Sequence, residues 1–302
     1  MAESQLRNVG LVVHGGREGA LAAARDIVAW LRNRAVSTRS LPDEDVGTAE
    51  ARPADAFQDG LDLVISVGGD GTLLRAARIA DGARVPLLGV NVGRLGFLAE
   101  VEPAEVPGIL EELLAGRTGI EERLALVATP EGASWTEPEW ALNEVIVEKT
   151  ARHRLITLRT EIDGEHVTTF SADGVIVATP TGSTAYSFSA RGPIVAPDLA
   201  CLVLTPVSPH MVFDRAMVLS PGAEVTLEVW GEEPGLLSAD GRTGRELPVG
   251  ARVRIRRADR PIRLVRRDRS PSFFSLVREK FWLPGEAPHG GRGPTERPGG
   301  TG

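Results

Sequence analysis

The spacing of apolar residues changes near Arg123, and no other feature restricts the possible architectures of this chain as much. Before that point, strand-like and helix-like segments alternate. Residues 9–13 form an apolar run ending in His14-Gly15-Gly16, and Leu21, Ala24, Ile27, Val28 and Leu31 follow at helical spacing. Residues 61–67 (LDLVISV) read as a second strand, followed by Gly68-Gly69-Asp70-Gly71 and a helical pattern over 72–80. Residues 85–90 read as a third strand, and 103–114 as a helix closed by Gly116. Alternation of this kind builds a parallel sheet with covering helices. After Arg123, short β-rich runs recur at 124–128, 145–147, 155–162, 167–170, 175–178, 202–205, 225–229, 253–255 and 262–265. Asp-Gly pairs at 163–164, 173–174 and 240–241 separate several of them. Many short strands and few helices predict a β-sandwich.

The expected fold class is therefore an α/β N-terminal domain with a parallel sheet, followed by a C-terminal all-β sandwich. The 302 residues suit that division, at roughly 150 residues per domain. The boundaries read as 1–118 for the α/β domain and 119–268 for the sandwich. A closing helix at 269–283, expected to pack back on the first domain, and a tail at 284–302 complete the chain. Eleven of the 19 tail residues are Gly or Pro, a composition that does not build a core. Residues 42–60, acidic and carrying Pro42, Gly47 and Pro53, read as a variable surface loop.

Charge narrows the function. The net charge is −7, so a basic surplus of the kind nucleic-acid binders carry is missing. Only Lys149 and Lys280 are lysines, which leaves 32 of the 34 basic residues as arginine. An anionic ligand would thus be met by arginine, backbone N–H groups or a metal. Cys201 is the only cysteine, so no intrachain disulfide can form. No apolar run reaches the about 18 residues of a membrane helix, and the N-terminus lacks the parts of a secretory signal. The expected address is the cytoplasm, with no membrane and no nucleic-acid partner.

Four segments carry candidate chemistry. In Val67-Gly68-Gly69-Asp70-Gly71-Thr72, glycines between a strand and a helix let backbone N–H groups approach a phosphate, and the helix N-terminus adds positive potential. Asp70 would repel such a ligand, so it serves some other purpose, either accepting a proton from an attacking hydroxyl or touching a metal. Asp-Gly also marks hairpins, but Leu73, Leu74, Ala77 and Ala80 keep helical spacing. The usual P-loop and dinucleotide glycine motifs are absent. The second segment, Thr179 to Ser189 (TPTGSTAYSFS), is small and hydroxylated and holds the only tyrosine, Tyr186. It suits a closely approached ligand with a ring to stack on a base, or a polar loop whose Tyr caps the core. In the third, Asn143-Glu144, a carboxylate fits two ribose hydroxyls and an amide fits an adenine edge; the pair would also serve as a polar entry to a strand. The fourth, Asp173-Gly174, reads by itself as a turn. Arg75, Arg94, Arg152, Arg154, Arg191 and Arg215 are candidate anion contacts or plain surface charges. His14, His153, His166, His210 and His289 lack metal-ligand spacing, and His14 beside two glycines suits a cleft.

Taken in order, GGDGTLL at 68–74, GVNVGRLGF at 89–97, ALNE at 141–144, Asp173-Gly174, TPTGSTAYSFS at 179–189 and Gly192-Pro193-Ile194 resemble the NAD kinase family. The likeness runs to about Trp282, where SFFSLVREKFW resembles that family's closing helix. It implies transfer of phosphate from ATP or polyphosphate to the 2′-hydroxyl of the NAD adenosine ribose, giving NADP. It also implies a divalent cation, expected to be magnesium, and a homodimer or homotetramer. By position, Asp70 would be the general base, with Gly68, Gly69 and Thr72 forming the phosphate loop and Gly71 meeting substrate. Asn143 would meet the adenine and Glu144 the ribose. Asp173 would face the nicotinamide side of a neighbouring subunit's ligand. Thr184, Ala185, Tyr186, Ser187, Phe188 and Ser189 would wrap the adenosine, and Arg75 and Arg154 would lie near phosphates. Metal ligands are not assigned. Ala216 stands where the family commonly has proline, and Arg242 where glutamine is common. A lipid kinase of the diacylglycerol or sphingosine type shares GGDGT-like loops, and a non-catalytic NADP(H)-binding sensor would keep the binding motifs; these are the alternatives.

Overall fold

The computed structural model describes residues 6–44, 46–47, 50–93, 96–266 and 272–281. Met1–Ser270 form one compact unit and Pro271–Gly302 a second. In the first unit, β1 (Asn8–Val13), β2 (Ser37–Ser40), β3 (Glu50–Ala51), β4 (Leu63–Gly68) and β5 (Leu87–Asn91) pair in parallel, in the order β3-β2-β1-β4-β5. The connections carry α1 (Glu18–Arg32), α2 (Ala54–Phe57) and α3 (Asp70–Ala83). A short 3-10 turn then leads into α4 (Val106–Leu114).

Both faces of this sheet are covered, which is why its central strands are buried at almost every position. Val9, Leu11 and Val13 of β1 share a core with Ala20, Ala24, Ile27 and Leu31 of α1. Val12 points the other way, into a core with Leu73, Ala76, Ala77 and Ala80 of α3. Two strands from beyond residue 118 complete the sheet: β19 (Ile262–Arg266) lies beside β5, and β6 (Gly119–Arg123) pairs antiparallel with β19.

The remaining strands form two antiparallel sheets. One runs β11 (Glu165–Ala172), β10 (Ile156–Ile162), β15 (Val225–Trp230), β18 (Arg252–Arg257), β7 (Leu126–Glu131) and β8 (Glu139–Ala141). The other runs β14 (Met217–Leu219), β13 (Leu202–Val207), β12 (Gly174–Ala178), β9 (Glu144–Lys149), β16 (Gly235–Ala239) and β17 (Arg245–Leu247). Alternate residues from both, including Leu158, Phe170, Val145, Val147, Val175, Val177 and Leu227, fill one core, as the period-2 pattern requires. Ile146, Ile176 and Ala178 on the opposite face pack with Val195, Cys201 and Val203, so β9 and β12 are buried on both sides. After β12 a 3-10 turn leads into the short α5 (Tyr186–Ser189).

Residues 42–60 are not simply a surface loop. Glu44, Val46 and Phe57 are buried, and β3 and α2 lie within the segment. Its polar, proline-bearing sequence hid a few inward anchors. In the second unit α6 (Phe273–Lys280) starts at Ser272, whose hydroxyl accepts a hydrogen bond from Ser275 N–H. The expected helix ends, 269–271 and 282–283, and the Gly/Pro-rich tail lie outside the described residues.

Candidate active site

β1 and β4 are neighbours with Val13 opposite Val67, so the turns that follow them leave the sheet side by side. The helices after β1 and β4 cover opposite faces of the sheet, which makes this a topological switch point, where open α/β sheets leave a crevice for ligands. A cleft of about 530 Å³ lies there, lined by His14, Gly15, Gly16, Arg17, Gly69, Asp70, Gly71, Thr72 and Arg75. Helix α3 begins at Asp70 with no side-chain cap, so the N–H groups of its first turn offer positive potential to an anion. The Asp-Gly pair thus opens a helix and not a hairpin.

Asp70 is held from the loop after β5. Its Oδ2 accepts from Phe97 N–H at 2.9 Å, and its Oδ1 from Leu98 and Ala99 N–H at 3.2 Å each. A carboxylate has about four acceptor positions, so three are filled and one remains for a substrate proton. Gly96 permits the clamp, because a Cβ there would collide with Asp70 Oδ1. Arg75, one turn along α3, donates to the Val13 carbonyl at 2.7 Å and pairs with Glu44. Glu44 is 2% exposed, and burial raises its carboxyl pKa against the opposing pull of Val13 N–H and Arg75. Sequence reading missed Glu44 because no local pattern marks it.

The second half of the site is built on Asp240. Its carboxylate accepts from the N–H groups of Leu142 and Asn143 at 2.8 Å and of Glu144 at 3.2 Å. The Asp240 backbone is left-handed, with φ of 50°, a conformation aspartate tolerates better than most residues. Burial raises the Asp240 pKa, and the three N–H donors oppose the rise. Sequence reading took Asp240-Gly241 only as a turn. Glu144 is 7% exposed, and burial, reinforced by Asp240, pushes its pKa to about 8. Its Oε2 is buried and unpartnered, the condition of a group shaped for a polar ligand.

The hydroxyl-rich segment closes over this pair. Thr179 Oγ1 donates to the Leu142 carbonyl at 2.6 Å and accepts from Gly182 N–H at 3.1 Å. A Cβ on Gly182 would strike the Asn143 carbonyl, so only glycine lets the two loops touch. Ser183 binds both backbone groups of Val195, and Ser187 meets Thr205 Oγ1 at 2.9 Å. Thr184 Oγ1 donates to the Thr181 carbonyl, and Ala185 and Ser189 bracket the short helix. Tyr186 and Phe188 are 41% and 36% exposed, so Tyr186 does not cap a core. Burial and the carboxylates of Glu148, Asp173 and Glu144 raise the Tyr186 pKa. Asp173 pairs with Lys149 at the entry to β12.

The two halves meet at α3. Leu142 packs in the same core as Leu73 and Ala99, and a second cleft of about 220 Å³ joins Gly71, Leu74, Arg75 and Arg78 to Trp140, Asp240 and Arg242. Arg242 donates to the Trp140 carbonyl at 2.9 Å and pairs with Glu139. Arg154 is not among the residues lining either cleft; it pairs with Glu233. Arg215 pairs with Asp214 on the surface, Arg152 offers its carbonyl to Lys149, and Arg94 lies outside the described residues. Among the described residues no group of three or more His, Cys, Asp and Glu could hold a metal. No described helix is long and apolar enough to cross a membrane.

Comparison with known proteins agrees in both halves. The family model for the ATP-NAD kinase N-terminal domain matches residues 9–118, and that for the ATP-NAD kinase C-terminal domain matches 142–267. A protein named NAD kinase 2 from Streptomyces avermitilis is 41% identical over 295 residues, covering 94% of this chain and 97% of its own. The NAD kinase of Mycobacterium bovis is 41% identical over 297 residues, covering 92% and 96%. The crystal structure of yeast NADH kinase complexed with NADH superimposes with a TM-score of 0.82 at 25% identity, covering 92% of this chain and 87% of that one. An NAD kinase from Archaeoglobus fulgidus in complex with ATP shares the fold, with a TM-score of 0.70 at 24% identity and coverage of 92% and 99%.

Proposed function

The chain belongs to the NAD kinase family and is a kinase that phosphorylates NAD, and from that premise we propose a role for each part of the site. Asp70 is the general base that takes the proton of the adenosine 2′-hydroxyl as it attacks the terminal phosphoryl group of ATP. The supporting observation is the Asp70 carboxylate itself, fixed by three backbone N–H bonds with one acceptor position left, at the mouth of a glycine-lined cleft. Phosphoryl transfer asks for positioning and charge neutralisation more than covalent help. The α3 N-terminus, Gly69, Gly71, Thr72 and Arg75 supply the second, and Asn143 and Glu144 supply the first. The unpartnered Glu144 Oε2 accepts from the ribose, the Asn143 amide reads the adenine, and residues 184–189 wrap the nucleoside with Tyr186 along the base.

ATP-dependent kinases of this kind generally use a divalent cation, and we assign magnesium. The donor set fits an ion held by substrate phosphates and one carboxylate, since the described residues contain no protein-only cage. Asp70 would meet it through a water of its hydration shell, the open acceptor position being kept for the 2′-hydroxyl, and the ion would neutralise charge on the phosphoryl oxygens. Exposed Val212, Phe213 and Val218 support a homodimer or homotetramer in which Asp173 faces a neighbour's ligand. A buried, unpaired Cys201 accords with a cytoplasmic address. The lipid-kinase and sensor alternatives find no support among the matches.

The test is Asp70→Asn. Dinucleotide affinity, measured by calorimetry, stays within a few-fold of wild type, while NADP formation falls about 10²–10⁴-fold. Turnover near wild type would assign the base elsewhere.

A further inference from the structure

A chain of buried and half-buried charges joins the loop that clamps Asp70 to the loop that wraps the nucleoside. Arg123 Nη1 donates to Thr181 Oγ1 at 3.2 Å, and its Nε donates to Glu121 Oε1 at 2.7 Å. The other oxygen of Glu121 accepts from Arg266 Nε at 2.5 Å. Arg266 Nη1 pairs with Glu100 at 2.7 Å and reaches the Leu98 carbonyl at 3.4 Å. The N–H of that same Leu98 donates to Asp70 Oδ1. Pairing of β6 with β19 sets Glu121 opposite Leu264 and Arg266 opposite Gly119, so Glu121, Arg123 and Arg266 share one face of the sheet. That is the face carrying Ile262, Leu264 and α3.

Burial makes this arrangement costly. Arg123 and Glu100 are each 5% exposed, and apolar side chains of similar volume would be as stable there or more so. The group as a whole is neutral, two carboxylates against two guanidiniums, so it offers nothing to a charged ligand. Its free ends fall on Thr181 and on Leu98, one in each site loop.

We propose that Glu100, Arg266, Glu121 and Arg123 are positioning residues that set the Asp70 carboxylate in register with the bound adenosine ribose. They touch no reacting atom. They fix the spacing between the loop that holds the base and the loop that holds the acceptor. A lysine cannot replace Arg123, because one ammonium cannot span both Glu121 and Thr181. The inference rests on the kinase reading above.

The test measures kcat, KM for NAD and thermal stability for Arg123→Lys, Arg266→Lys, Glu121→Gln and Thr181→Val. Each is expected to lower kcat about 10- to 100-fold, the scale of an ångström-sized misplacement, with KM and dinucleotide affinity within about three-fold. The double variant Arg123→Lys/Arg266→Lys should lose little more than either single one, because one break already severs the link. Unchanged kcat with only a lower melting temperature overturns the proposal, as does strict additivity in the double variant. Glu121→Gln is nearly isosteric and keeps the test readable if an arginine variant fails to fold. Wild type and Asp70→Asn run beside them: a wild type that makes no NADP defeats the kinase reading, whereas active wild type with unaffected variants defeats only this inference.

Discussion

Two carboxylates in this site are held by the same device and poised for different roles. Asp70 and Asp240 each collect three backbone N–H bonds, one on the rim of an open cleft and the other half-buried beneath Asn143-Glu144. Glu144 beside Asp240 has the opposite character: buried, half-satisfied, and raised from 4.5 to about 8. The sign of its pH effect follows. Below about pH 4.5 both folded and unfolded chains hold the proton, and between there and about pH 8 only the folded chain keeps it. Stability without ligand therefore falls as pH rises through that window, by at most roughly 4–5 kcal/mol at about 1.4 kcal/mol per unit. Glu144→Gln should remove this slope, read as a flatter melting temperature from pH 5 to 8. It should also weaken NAD binding about ten-fold above pH 8, where Glu144 is ionised and its hydrogen bond to the ribose is charge-assisted. A variant with the wild-type pH slope would show that Glu144 titrates normally.

At the scale of elements, the site depends on loops that approach each other more closely than a side chain allows. Gly96 against Asp70 and Gly182 against Asn143 are two such contacts, where a methyl group has no room. Gly96→Ala should displace the clamp, lowering kcat about 10²-fold with NAD affinity little changed. Gly182→Ala should part the 179–184 turn from Asn143 and raise the NAD dissociation constant instead. Steady-state kinetics with calorimetry separates the two, and identical profiles would mean that the loops move as one body. Strong local patterns made the principal elements legible: β1, β4 and β5 are apolar runs, and α1, α3 and the paired strands of the sandwich carry a clear period. Short strands such as β2, β14 and β17 carry too few residues to show one. Among site residues, those in glycine- or hydroxyl-rich motifs were legible because backbone approach and hydrogen bonding leave a compositional trace. Glu44, Asp240, Glu100, Glu121, Arg123 and Arg266 leave none, since each acts through a partner brought to it by the fold and not by a local motif.

For the molecule as a whole, the change of period near Arg123 marks a change of architecture but not a break in the folded structure. β6 and β19 return to the first sheet from the far side of that boundary, and β19 covers the edge that β5 would otherwise expose. Leu142, at the head of the Asn143-Glu144 pair, sits fully buried in a core shared with Leu73, Leu98, Ile262 and Leu264. Shared strands and a shared core couple the parts that carry Asp70 and Glu144, so they should unfold together. Urea denaturation of the full chain should give coincident transitions by far-UV circular dichroism and by tryptophan fluorescence, with Trp30 reporting from α1 and Trp135 from the sandwich core. Leu142→Ala deletes apolar volume from the shared core and should cost about 2–5 kcal/mol. Its midpoint should shift equally by both probes, with no transition splitting off. Two separated transitions, or a shift confined to one probe, would mean that the lobes are energetically independent, and the register between base and ribose would then have to come from the bound dinucleotide.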